Sequence, residues 1–234
     1  MLLLAAWLWW RNRGPRFVRY KEFGIEIPVN YSVHGIDVSR YQGMIDWQEV
    51  KAMNIRGITI RFAFIKATEG IGNTDPRFNR NWKKSREAGM TRGAYHFFVT
   101  GKDGREQARN FINTVGELER GDLPPVLDVE RTNGVGDSAL AREVQEWLDV
   151  VEDFYKVTPI VYTYVDFYRD HLGDKFNKYP FWAAHYLQHD QPRTNRDWLF
   201  WQHSEKGHVN GINAYVDFNV FNGNEFDFGR LLVR

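Results

Sequence analysis

From Val33 onward, short β-branched or aromatic runs alternate with polar stretches whose apolar residues recur at helical spacing. The runs are Gly35 to Val38, Phe62 to Lys66, Gly93 to Phe98, Val126 to Val129, Ile160 to Thr163, Phe181 to His185, Leu199 to His203 and Tyr215 to Val220. Strand and helix signals alternating in this way predict βα units around a mostly parallel sheet, and eight strands are the number a closed barrel needs. Helices are predicted over Ile45 to Met53, Asp75 to Ala88, Asp103 to Leu118 and Ser138 to Tyr155. In the last of these, Leu140, Val144, Trp147, Leu148 and Val151 trace one face. The segment Gln188 to Asp197 is polar, short and contains proline, which leaves little room for helices between the late strands. The expected fold is therefore α/β, an irregular TIM-like (β/α) barrel with eight strands and fewer helices than strands.

The N-terminus has a different pattern. Met1 to Trp10 is entirely apolar and is followed by Arg11, Arg13 and Arg16. Ten apolar residues are about half of what a spanning helix requires, and neither a basic start nor a small-residue cleavage site is visible. Residues 1–16 are expected to be the remnant of a membrane anchor or signal that begins upstream, with membrane contact only through this segment. The basic flank would favour a cytoplasmic side by charge alone. Residues 17–32 read as a linker, and 33–234 as one catalytic barrel.

Composition narrows the function. The 31 basic and 30 acidic residues leave a net charge of +1, so no overall field attracts nucleic acid. Without Cys, the chain has no disulfide, no thiol nucleophile and no zinc-thiolate site. The seven His show no metal-ligand spacing. No cofactor and no metal are expected. Aromatics make up 16% of residues, with nine Trp, a surplus suited to stacking on sugar rings.

The chemistry concentrates at Pro124-Pro125-Val126-Leu127-Asp128-Val129-Glu130. Side chains alternate along a strand, so Asp128 and Glu130 share one face while Leu127 and Val129 pack on the other. Two crowded carboxyls separate in proton affinity, one holding a proton near neutral pH, which suits acid catalysis on a glycosidic bond. Barrel enzymes build their sites at the C-terminal strand ends. The other strands bring there Asp37 and Ser39, Lys66 with Thr68 and Glu69, Tyr95 with His96 and Phe98, Tyr162 and Tyr164, His185 and Tyr186, Gln202 and His203, and Asp217 with Asn219.

These residues fall within a series of motifs that resembles the glycoside hydrolase family 25 lysozymes, the N-acetylmuramidases. The series runs His34-Gly35-Ile36-Asp37-Val38-Ser39 with Gln42 and Trp47, Phe64 to Gly70, Arg92 to Phe97, Leu127 to Glu130, and Tyr179-Pro180 with Trp182 to Tyr186. It ends with Trp201-Gln202-His203 and Val216 to Asn219. The resemblance covers about Val33 to Phe228 and is nearest to membrane-anchored enterobacterial members. It implies a monomer acting on peptidoglycan glycan strands in the cell envelope, on the periplasmic side. It implies hydrolysis of the β-1,4 bond between N-acetylmuramic acid and N-acetylglucosamine, with Asp37, Asp128, Glu130 and Asp217 in the active site and Glu130 as general acid. Either Asp217 or Asp37 attacks as nucleophile, or the substrate's 2-acetamido group attacks with Asp128 orienting it. The Asp-x-Glu spacing favours the second. Tyr95, Phe98, Tyr162, Trp182, Tyr186, Glu69 and Gln202 are candidate substrate-binding residues. A non-catalytic peptidoglycan-binding protein and a chitin-directed glycosidase are the competing readings.

Overall fold

The computed structural model describes residues 17–188 and 190–234, so the apolar segment 1–16 lies outside the described residues. The chain enters through an antiparallel hairpin, β1 (Phe17–Tyr20) and β2 (Ile25–Pro28), with Phe17 opposite Pro28 and Tyr20 opposite Ile25. This corrects the expected linker at 17–32. In Ile25-Glu26-Ile27 the two Ile are buried and Glu26 between them is exposed, the alternation of a half-buried strand.

Eight strands then close into a barrel. They are β3 (His34–Val38), β5 (Ile58–Glu69), β7 (Thr91–Phe97), β8 (Val126–Asp128), β9 (Ile160–Tyr164), β10 (Phe181–Ala184), β11 (Phe200–Gly207) and β12 (Val216–Phe221). Each coincides with an expected run. Two short strands, β4 (Asn54–Ile55) and β6 (Asn73–Thr74), pair antiparallel with the ends of β5. Around the barrel the order is β3, β12, β11, β10, β9, β8, β7, β5, and β5 returns to β3. All neighbours are parallel except at β12, which is antiparallel to both β11 and β3. Only residues 208–215 join β11 to β12, too short for the crossover that a parallel pair requires.

The helices are α1 (Trp47–Ala52), α2 (Phe78–Glu87), α3 (Gly104–Val115), α4 (Asp137–Tyr155) and α5 (Glu225–Leu231), with short helical turns over 165–176. Asp46 caps α1 by accepting from the Gln48 and Glu49 amides, and Asp103 caps α3 by accepting from Glu106. In α4 the expected face of Leu140, Val144, Trp147, Leu148 and Val151 is the buried one. Among the described residues no helix is long and apolar enough to cross a membrane.

Large rings fill the barrel: Phe62, Phe64, Trp182, Phe200 and Phe221, with Phe228 of α5 packed beneath them. Two glycines make this possible. A Cβ on Gly35 would lie 2.5 Å from the Phe62 ring, and one on Gly93 2.6 Å from Phe64. A second core layer lies between the barrel wall and the helices and holds Leu127, Val129, Phe111 and Trp147. The hairpin covers the β11 and β12 wall. Phe23 at its turn is fully buried, edge-on to Phe218 at 5.4 Å, and Phe17 meets Trp201 at 6.0 Å.

Candidate active site

A cleft of about 260 Å³ opens at the C-terminal strand ends. On one side β8 delivers Asp128 and, one residue past its end, Glu130. The chain stays extended there because Phe98 N–H donates to Asp128 O at 2.8 Å and Val129 N–H to Tyr162 O at 3.0 Å. Leu127 and Val129 turn into the outer core, so the two acids face the cleft together. Across the barrel, Asp37 on β3 sits directly opposite Asp217 on antiparallel β12.

Polar side chains of neighbouring strands hold Asp37. Asp37 Oδ2 accepts from Gln202 Nε2 at 2.8 Å and from Asn219 Nδ2 at 2.7 Å. Gln202 Oε1 in turn accepts from the hydroxyls of Tyr162 at 2.8 Å and Tyr186 at 2.6 Å. Trp182 Nε1 donates to Asn219 Oδ1 at 2.8 Å, which directs the Asn219 amide toward Asp37.

Asp37, Asp128, Glu130 and Asp217 are each harder to ionise than in water, and in each case burial is the first cause. Asp217 is pushed up to about 9, with the charge of Asp37 as the next cause. Asp37 rises too, but the bonds from Asn219, Gln202 and Asp217 oppose the rise. Asp128 stands well above the usual carboxylate range through burial and then the Glu130 charge, with Lys66 opposing. Glu130 rises less, because Arg131 and hydrogen bonds with Asp128 and Tyr162 favour its ionised form. Asp128 Oδ1 is buried and, among the described residues, has no hydrogen-bond partner. The cleft thus holds two acid pairs in which the charge of one carboxyl opposes ionisation of the other.

Of the expected substrate-binding residues, Tyr95, Tyr162, Trp182, Tyr186 and Gln202 line the cleft. Trp182 is only 2% exposed and stacks on Phe64 at 4.4 Å, so it forms the floor. Phe98 does not reach the cleft: it is buried in the outer core, edge-on to His96. The alternation along β7 turns Tyr95 and Phe97 inward and His96 outward, and Phe98 continues the outward face. Glu69 also lies outside the cleft; it pairs at 2.7 Å with Lys66, which lines it. His96 is buried against Trp147 between Thr68 and Gln107, and burial lowers its pKa to about 3. His203 is likewise buried, its pKa about 3. Neither histidine belongs to the rim.

Tyr41, Phe97 and Glu205 also line the cleft and were not singled out from the sequence. Tyr41 had a readable signal. Ser39 and Gln42 form a capping box in which Ser39 Oγ accepts from the Tyr41 amide at 3.3 Å, presenting the ring at the rim. Glu205 follows an irregularity in the β11 register that alternation does not foresee.

A closed barrel with four carboxyl groups converging at its C-terminal rim is the architecture of a glycoside hydrolase. The chain belongs to the glycosyl hydrolases of family 25, whose family model matches residues 36–212. It is 50% identical over 203 residues to the uncharacterized protein YegX of Escherichia coli K12, covering 87% of this chain and 74% of that one. It is 36% identical over 205 residues to lysozyme M1 of Streptomyces globisporus, covering 82% and 68%. A family 25 glycosyl hydrolase structure from Bacillus anthracis superimposes with a TM-score of 0.81 at 31% identity, covering 92% of this chain and all of that one.

Proposed function

We propose that this protein is a lysozyme that hydrolyses the β-1,4 bond between N-acetylmuramic acid and N-acetylglucosamine in peptidoglycan, in the cell envelope. The observation that carries the reading is the Asp128–Glu130 pair, two carboxyls on one strand face, both made harder to ionise by burial. Glu130 is the general acid. The pair's proton passes through Glu130 to the glycosidic oxygen as the bond to the anomeric carbon breaks, which leaves both carboxyls ionised. Asp128, now ionised beside Lys66, accepts from the acetamido N–H of the muramic sugar. The acetamido oxygen attacks the anomeric carbon to give an oxazolinium ion. Water then opens this ion, losing its proton to the Glu130 carboxylate.

Substrate assistance fits better than a nucleophile supplied by the protein. Asp217, with its pKa near 9, is protonated at neutral pH and nucleophilically weak. Asp37 Oδ2 is occupied by two amide donors. This second pair suits binding the sugar and tuning the charge of the cleft. The test is a glycan oligomer whose muramic acetamido groups are replaced by trifluoroacetamido groups, which attack poorly. The expected result is a steep fall in kcat with KM little changed; an undiminished kcat overturns substrate assistance.

A further inference from the structure

Beside the cleft lies a second cavity of about 270 Å³, lined by Arg40, Lys66, Glu69, Asn73, Thr74 and Asp75. Lys66 lines both spaces, so the cavity adjoins the cleft on the β5 side. No aromatic ring lines it, and it offers a sugar no stacking surface. Its framework is rigid: Asp75 accepts from the Arg40 amide through Oδ2 and from the Arg77 amide through Oδ1, each at 2.8 Å. Lys66 is held by Glu69 Oε2 at 2.7 Å, with its ammonium 4.6 Å from the centre of the Phe97 ring. The groups presented outward are the exposed Arg40 guanidinium, whose Nη2 also donates to the Tyr41 hydroxyl at 3.3 Å, the exposed Asn73 and the solvent-facing part of the Glu69 carboxyl. A guanidinium, an amide and a carboxylate together match a short peptide, which brings carboxylates, N–H donors and carbonyls.

Muramic acid is the sugar that carries such a peptide, amide-linked through its lactyl group. A cleft holding this sugar must let the peptide leave, and the polar cavity adjoins it at Lys66. We propose that this cavity receives the peptide arm of muramic acid, with Arg40 pairing a peptide carboxylate and Asn73 and Glu69 bonding the peptide backbone. The proposal rests on the muramidase reading above.

The experiment compares purified peptidoglycan with the same material stripped of its peptides by an amidase, using the full chain and its Arg40→Ala and Asn73→Ala variants. The Arg40 contact to Asp75 uses only the backbone amide and survives the substitution. The expected result is that the parent prefers the peptide-bearing substrate, and that Arg40→Ala cuts that preference about tenfold through KM, the size of one charge-assisted hydrogen bond. Arg40→Lys restores part of it, and Asn73→Ala moves it in the same direction as Arg40→Ala. A parent without preference, or variants that slow both substrates equally or neither, overturns the subsite while leaving the muramidase reading intact. A parent that releases no muramic-acid reducing ends from either substrate overturns both.

Discussion

At the scale of residues, Asp37, Asp128, Glu130 and Asp217 differ because their neighbours differ. Asp37 receives two amide N–H bonds, and Asp217 beside it keeps its proton up to about pH 9. The sign of the consequence follows from linkage. Between its ordinary 3.8 and about 9 the folded protein holds a proton on Asp217 that the unfolded chain releases, so this group's contribution to stability declines as pH rises. Asp217→Asn, neutral at every pH, removes that decline. Its melting temperature is expected to exceed the parent's by a margin that widens from about pH 5 to about pH 9 while hydrolysis falls; a margin constant across that range contradicts the assignment. Asp128 and Glu130 were legible in the sequence because residues two apart on a strand share a face. Phe98 was misread through neglect of the same rule, since it lies three residues from Tyr95. Glu69 was placed correctly at a strand end, but its partner is Lys66 and not the cleft.

At the scale of elements, the eight barrel strands were readable because each is a compact apolar run between polar segments. The hairpin of β1 and β2 was not. Its strands are four residues each, and Arg19, Lys21, Glu22 and Glu26 interrupt its apolar positions, so no period stands out. It does the work of a helix on the wall where antiparallel β12 removes the crossover. Phe23→Ala should therefore destabilise the whole domain by about 3–5 kcal/mol, lowering the melting temperature by roughly ten degrees. Thermal unfolding measures this directly. A flexible linker would tolerate the change within about 0.5 kcal/mol, and that result would sink the structural role. α5 also went unread, although Asn224 and Asp227 form a capping box at its start and Phe228 packs beneath the barrel.

At the scale of the molecule, barrel closure turns a local signal into a site. In sequence Asp37, Asp128 and Asp217 are some 90 residues apart in each interval. The closed sheet places β8 across the cleft from the adjoining β3 and β12, so the two acid pairs face one another over the space where the sugar would bind. The central claim is that this space cleaves after muramic acid by means of Glu130. The most direct measurement is mass analysis of the fragments released from purified peptidoglycan by the parent and by Glu130→Gln. The account predicts muramic acid at every new reducing end, with release slowed about 10²- to 10⁴-fold in the variant, as loss of a general acid does. Glucosamine at the new reducing ends, or a Glu130→Gln enzyme as fast as the parent, would contradict it.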